Sequence, residues 1–157
     1  MEAFLVLADS VRNEHGTGKI SILGGGWSLI GPGRTHMSLA IFVRASVLES
    51  TEPVLFRLHL VEMDGEPVSV EAADGEMRPL FIEGNFRLSD RNELDEDISA
   101  VGVHANFAVD VGMIKLPPGR VYRWVLRLND REAASVAFAI RREKDVVEEA
   151  DDDLEEL

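Results

Sequence analysis

The chain of 157 residues contains no cysteine, which excludes disulfide staples, thiol nucleophiles and thiolate metal sites together. No apolar run approaches the ~20 residues that a membrane-spanning helix needs. The amino terminus, MEAFLVLAD, has neither a positively charged start nor a small-residue cleavage site. No secretory leader is therefore expected, and a cytoplasmic address is. Basic residues are scarce: 16 Lys and Arg stand against 29 Asp and Glu, a net charge of −13. Such a chain is a poor non-specific ligand for nucleic acid or for an anionic membrane, both of which select positive charge. Aromatic residues make up 6% of the chain, with one tyrosine and two tryptophans. Helical periodicity is missing as well, up to the acidic carboxyl-terminal stretch.

The negative charge is uneven. From Glu143 to Leu157, nine acids and one lysine give −8, which leaves −5 for residues 1–142. The composition predicts a single domain over 1–142 and an acidic tail over 143–157 that is disordered or a short helix, since Val146, Val147, Ala150 and Leu154 recur near helical spacing.

What is present in quantity is period-2 alternation, the pattern of half-buried strands. It is clearest from Lys115 to Arg142. Pro117-Pro118-Gly119 makes a turn, and Tyr122, Trp124, Leu126 and Leu128 then share one face against Arg123, Arg127 and Asn129. After a turn at Asn129–Glu132, Val136, Phe138 and Ile140 resume the stripe. Upstream, Ala3–Ala8 is a continuous apolar run that fits a strand buried on both faces, followed by a polar loop from Asp9 to Gly18. Lys19–Ile30 reads as one strand broken or bulged at Gly24-Gly25-Gly26. Met37–Val43 and Val54–Val61 alternate, Asp64-Gly65 predicts a type I′ hairpin, and Leu80–Leu88 follows Pro79. Val101, Val103, Ala105, Phe107, Val109, Val111 and Met113 form the longest stripe. Eight to ten strands at short spacing predict an all-β antiparallel β-sandwich, immunoglobulin-like in its last hairpin, with Tyr122 placed as a tyrosine corner. A small, partly open β-barrel is the alternative, favoured by Gly24–Gly26 and Gly84.

Several segments also resemble a known family. Leu7-Ala8-Asp9, Gly18-Lys19-Ile20, Leu23-Gly24-Gly25-Gly26-Trp27, the Met63–Gly65 hairpin and the Pro117–Tyr122 turn-and-strand are similar to features of a family of small β-rich proteins of unknown function. That family occurs in bacteria, chiefly actinobacteria, and in their phages. The resemblance spans residues 3–142 and implies a small β-protein, with no assigned activity, that is cytoplasmic, or virion-associated if phage-encoded.

No motif points to catalysis. Gly16-Thr17-Gly18-Lys19 lacks the earlier glycine and the following Ser or Thr of a phosphate loop, since Asn13 and Ile20 stand there. His15, His36, His59 and His104 have no metal-ligand spacing. The loop Asp90–Asp97 offers hard oxygen ligands of the kind calcium takes, without EF-hand spacing, and a solvated loop is the preferred reading. Gly24, Gly25, Gly26 and Trp27 are the candidate ligand site, as a backbone approach beside a stacking ring; Trp124 is a second candidate ring. Arg123, Arg127 and Arg141 form a modest basic strip that suits an acidic segment such as Asp151, Asp152 and Asp153 of the tail. The expectation is a non-enzymatic binding or assembly module without cofactor, with a protein partner or self-association through exposed strand edges. A small-ligand or carbohydrate-binding domain is the alternative.

Overall fold

The alternating stripes become eleven strands in the computed structural model, which describes residues 1–46, 52–88 and 102–142. They are β1 (Glu2–Asn13), β2 (Ile20–Gly25), β3 (Leu29–Ile30), β4 (Arg34–Ala45), β5 (Val54–Glu62), β6 (Ser69–Glu71), β7 (Met77–Pro79), β8 (Phe81–Phe86), β9 (Val103–Lys115), β10 (Val121–Leu128) and β11 (Arg131–Ile140). One sheet has the order β2-β1-β4-β9 and the other β3-β11-β10-β5-β8; β6 and β7 form a separate ribbon. All pairings are antiparallel except the short parallel contact of β3 with β11. The architecture is the expected all-β sandwich, and no sheet closes into a barrel. The proposed acidic loop Asp90–Asp97 and the tail from Glu143 lie outside the described residues.

Burial of the alternating faces against each other holds the two sheets together. Leu5 and Leu7 of β1 and Met37, Leu39, Ile41 and Val43 of β4 meet Leu58, Leu60, Tyr122, Trp124, Leu126 and Phe138 of the facing sheet, all of them buried. Trp124 is fully enclosed and its Nε1–H points at the Met37 sulfur at 3.1 Å. It is a core ring and offers no stacking platform. At 25 cal/mol per Å2, a side chain of this size contributes more than any single hydrogen bond in the molecule. Phe56, Phe86 and Phe107 close one side of the sandwich, with Phe107 5.0 Å from each of the other two ring centres. Gly84 leaves the space the Phe56 ring occupies, because a Cβ there would stand 2.7 Å from it. That accounts for the glycine without a barrel corner. At the other side Phe138 packs against Tyr122 and Trp27.

Four local readings change. β1 runs on to Asn13, so the segment from Asp9 is strand before it is loop. The presumed single strand Lys19–Ile30 is two strands in opposite sheets, with the glycines at the crossing. The Val101–Met113 stripe breaks at a β-bulge: Met37 pairs with Gly112 and Ser38 with Asp110, leaving Val111 as the extra residue. Gly112 takes φ 79° there and donates its N–H to Asp110 Oδ1. One added residue exchanges the two faces, so Ile114 and Leu116 are buried while Met113 is exposed. Finally, Asp64-Gly65 is not a type I′ turn. Gly65 alone has positive φ, Gly65 N–H donates to Glu62 O, and Glu62 N–H donates to Glu66 O. This is a three-residue loop in which Asp64 Oδ1 accepts the Glu66 N–H, and Asp74-Gly75 repeats it. The type I′ geometry falls instead at Asn129-Asp130, with φ of 46° and 62°.

The tyrosine corner is present. Tyr122 Oη donates to Pro117 O at 3.0 Å, and burial pushes its phenol up, opposed by Arg120, so the donor stays protonated. Replacing Tyr122 with Phe is expected to cost about 1–2 kcal/mol in a denaturant titration, the value of a hydrogen bond plus a stranded carbonyl; an unchanged midpoint would contradict this role.

Candidate functional site

The outer face of the four-stranded sheet is divided in two. β1 pairs with β4 from Glu2 to Ala8 and with β2 from Ala8 to Asn13. Past Ala8 the β1–β2 hairpin leaves the plane and folds back over the sheet as an arm. Its inward side carries Val11 and Ile22, which pair, and Asn13 and Ile20, which pair. Val11 and Ile20 pack on Ala8, Ala40 and Ala108, and Ala8 and Ala40 are wholly buried although they belong to the outer face. Asn13 Oδ1 accepts the N–H of Ala108 on β9 at 3.0 Å, so the tip of the arm reaches the strand at the far edge. His36 pins the bend: its Nδ1 lies 2.8 Å from Asp9 O and its Nε2 3.2 Å from the Asp110 carboxylate.

The arm stops short of the other half. There Phe4 and Phe42, cross-strand neighbours, stack with ring centres 4.4 Å apart and planes 7° from parallel. Phe4 is 57% exposed. The pairing of β1, β4 and β9 sets two rows beside each other, Phe4-Phe42-Asn106 and Glu2-Arg44-His104. These side chains line a concavity of about 520 Å3. Residue size follows coverage: alanine and serine lie under the arm, Phe42 is half-buried at its margin, and Phe4 stands open beyond it. An exposed aromatic pair rimmed by a carboxylate, a guanidinium, an imidazole and a carboxamide can enclose an apolar side chain or flat ring and fix it with hydrogen bonds. Among the described residues, no group of three or more His, Asp and Glu is placed to hold a metal ion.

Two features of the sequence would have marked this place. Phe42 shares a face with Ser38 and Ala40, an odd company for a solvent-facing ring, and Phe4 falls in a run that looks buried on both faces. Only the pairing register brings them together.

The residues expected from sequence lie elsewhere. Gly24 has φ 59°, and a Cβ on it would stand 2.0 Å from Asp9 Oδ2; a carboxylate occupies the space an anion would need. Gly26 N–H donates to Leu7 O. Trp27 is half-buried, edge-on to Phe138 at 5.9 Å, with its Nε1–H buried and without a hydrogen-bond partner. Arg123 and Arg127 share the outer face of β10, and the register adds Arg57, which pairs with Arg127 and was not expected from sequence. Arg57 meets Glu83 and Asp130, whereas Arg127 donates to the neutral Asp130 O. Arg123 Nε is buried with no hydrogen-bond partner. His59, between these arginines, is lowered from its ordinary value by burial first and then by Arg57 and Arg127. Arg141 sits at the end of the same face, its N–H donating to Ile30 O. Asp151, Asp152 and Asp153 are outside the described residues.

The chain belongs to a family of unknown function, DUF6941, whose model matches residues 3–141. No curated protein matches its sequence. Among solved structures, the Pseudomonas fluorescens alkylpurine DNA glycosylase AlkC, bound to DNA containing an abasic site analog, is similar at 10% identity and a TM-score of 0.34. That match covers 73% of this chain and 28% of the glycosylase, so the chain spans well under a third of its length. A likeness of this degree carries no argument. Among the described residues, no helix is long and apolar enough to cross a membrane.

The glycine crossing yields a test. Gly24→Ala forces a left-handed alanine, about 1–2 kcal/mol, and also displaces Asp9. In an Asp9→Ala background the same change should cost less, because only the backbone strain remains. Strictly additive losses in a double-mutant cycle would show that Asp9 and Gly24 do not meet.

Proposed function

We propose that this member of the DUF6941 family is a non-enzymatic binding or assembly module that docks a protein partner on the open half of its four-stranded sheet. The observation that carries the reading is the Phe4–Phe42 stack, with Phe4 open to solvent, beside a half of the same face that the chain covers with its own hairpin. An aromatic pair whose outer ring is more than half exposed forgoes much of the burial that makes aromatic side chains favourable, and such rings at the centre of a polar rim mark interaction sites. The arm indicates the kind of occupant: an extended or hairpin segment that lays aliphatic side chains on the sheet and gives a carboxamide or hydroxyl to the free edge of β9, as Asn13 does at Ala108. In a bacterial, actinobacterial or phage setting this suits an accessory structural protein, acting in the cytoplasm or on a virion.

A second reading has its own support. Asn106, His104 and Arg44 stand around the open Phe4 ring in one concavity, an arrangement that also suits a carbohydrate or another small polar ligand with one flat face.

Phe4→Asp separates function from folding, because the ring is largely exposed. The variant should retain the wild-type melting temperature within the few degrees that ~1 kcal/mol represents. It should fail to recover from host extract a partner that the wild-type chain recovers, and that partner should protect amides of Glu2–Val6 and Val103–Asn106 from exchange. Equal recovery by both chains, or protection on the other sheet, would overturn the protein-docking reading; loss of a glycan-array signal without any protein partner would favour the second.

A further inference from the structure

The outer face of the five-stranded sheet carries Arg57, Arg123 and Arg127, and the acids beside them match that charge only in part. Arg57 and Arg127 are directly opposite each other on β5 and β10, a like-charge pairing that destabilises a sheet unless something offsets it. Glu83 and Asp130 offset Arg57, and Glu62 pairs with Arg120. Arg127 spends its donors on a neutral carbonyl. Arg123 has a buried Nε and no hydrogen-bond or ion-pair partner among the described residues, although leaving a partly desolvated guanidinium unpaired is costly. Glu132 stands opposite Arg127 on the neighbouring strand β11, so Arg127 has an acid beside it and Arg123, opposite Ala137, has none.

We propose that the acidic segment Glu143–Leu157 of this same chain lies along that face, with its carboxylates on Arg123 and Arg127. Three observations select it as the occupant. The described chain ends at Arg142, beside Gly119 and Val121 at the start of β10. The face leads from there past Arg123, which is level with Ala137 of β11, to Arg127. Arg123 and Arg127 are four residues apart on one strand, about 13 Å. The segment carries nine acids, and residues 143–157 reach roughly 50 Å when extended. The charges are therefore complementary and the connection is short enough to give a millimolar-range effective concentration. The docked segment would cover the basic face and leave the Phe4–Phe42 face open, so the two surfaces answer to different partners. This inference does not rest on the docking of a partner at Phe4.

The absence of cysteine makes the test direct. Asp152→Cys gives a single attachment point for a nitroxide in the full chain. At low salt, amide signals of Arg123, Val125, Arg127 and the facing Arg57 and His59 should lose intensity, and those around Phe4 and Phe42 should not. At roughly 1 M salt, where the screening length falls to about 3 Å, the intensity should return. Arg123→Gln with Arg127→Gln should restore it at low salt. Broadening that is absent, uniform over the surface, centred on Phe4 and Phe42, or indifferent to salt would overturn the proposal. The salt series on the labelled chain needs no arginine variant, so it stands even if the double substitution impairs folding.

Discussion

The structure depends on how closely the β1–β2 arm can approach the sheet beneath it. Ala40 and Ala108 are level with each other across β4 and β9, Ala8 lies level with Ser38 two residues further along, and the three admit Val11 and Ile20 at packing distance. Larger residues at these positions would lift the arm. Once the arm lies flat, Asn13 reaches the Ala108 N–H, and part of an edge strand that would otherwise present its backbone to solvent is blocked. The bend at Asp9 requires the left-handed Gly24 opposite it, and from there the chain crosses to the facing sheet through Gly26 and Trp27. His36 joins the bend to the bulge at Asp110, so arm, bulge and crossing form one connected device built onto the sandwich.

The same constraint shapes the surfaces. An arm of fixed length covers one half of the face and ends, and the Phe4–Phe42 stack begins where it ends. Among the described residues the opposite sheet has no such cover, and there the arginines of β5 and β10 gather charge that the nearby acids only partly match. One protein thus presents an apolar face and a basic face on opposite sides of a single core. Trp124 and its neighbours pack the core between them.

Much of the sandwich was legible in the chain because burial imposes period 2 on every central strand. Tyr122, Trp124, Leu126 and Leu128 are buried as their alternation predicts, and the Tyr122 corner follows from the Pro-Pro-Gly turn before it. Where the prediction failed, a single residue changed the parity or the sheet. Val111 is one extra residue, and it sends Met113 outward and Ile114 inward. Asp64-Gly65 is not the expected type I′ turn, since the Asp64 side chain accepts a backbone N–H and only Gly65 has positive φ, whereas the untyped turn at Asn129-Asp130 takes that geometry. The two candidate docking faces were least legible of all. Phe4 meets Phe42, and Arg57 meets Arg127, through strand register, which no local pattern encodes. Gly24, expected from sequence to line a ligand site, has a steric reason instead, in the approach of Asp9.

Amide hydrogen exchange on an Ala40→Phe variant tests the seating of the arm most directly. A ring at this wholly buried position takes the space of Val11 and Ile20, an overpacking of about 1–3 kcal/mol, and a two-stranded arm without its support is marginal by itself. The amides of Val11, Arg12, Ser21 and Ala108 should lose protection while those of Trp124, Leu126 and Leu58 keep theirs. Undiminished protection in the arm, or loss in step with the core, would contradict the claim that small side chains seat a separable arm on the sheet.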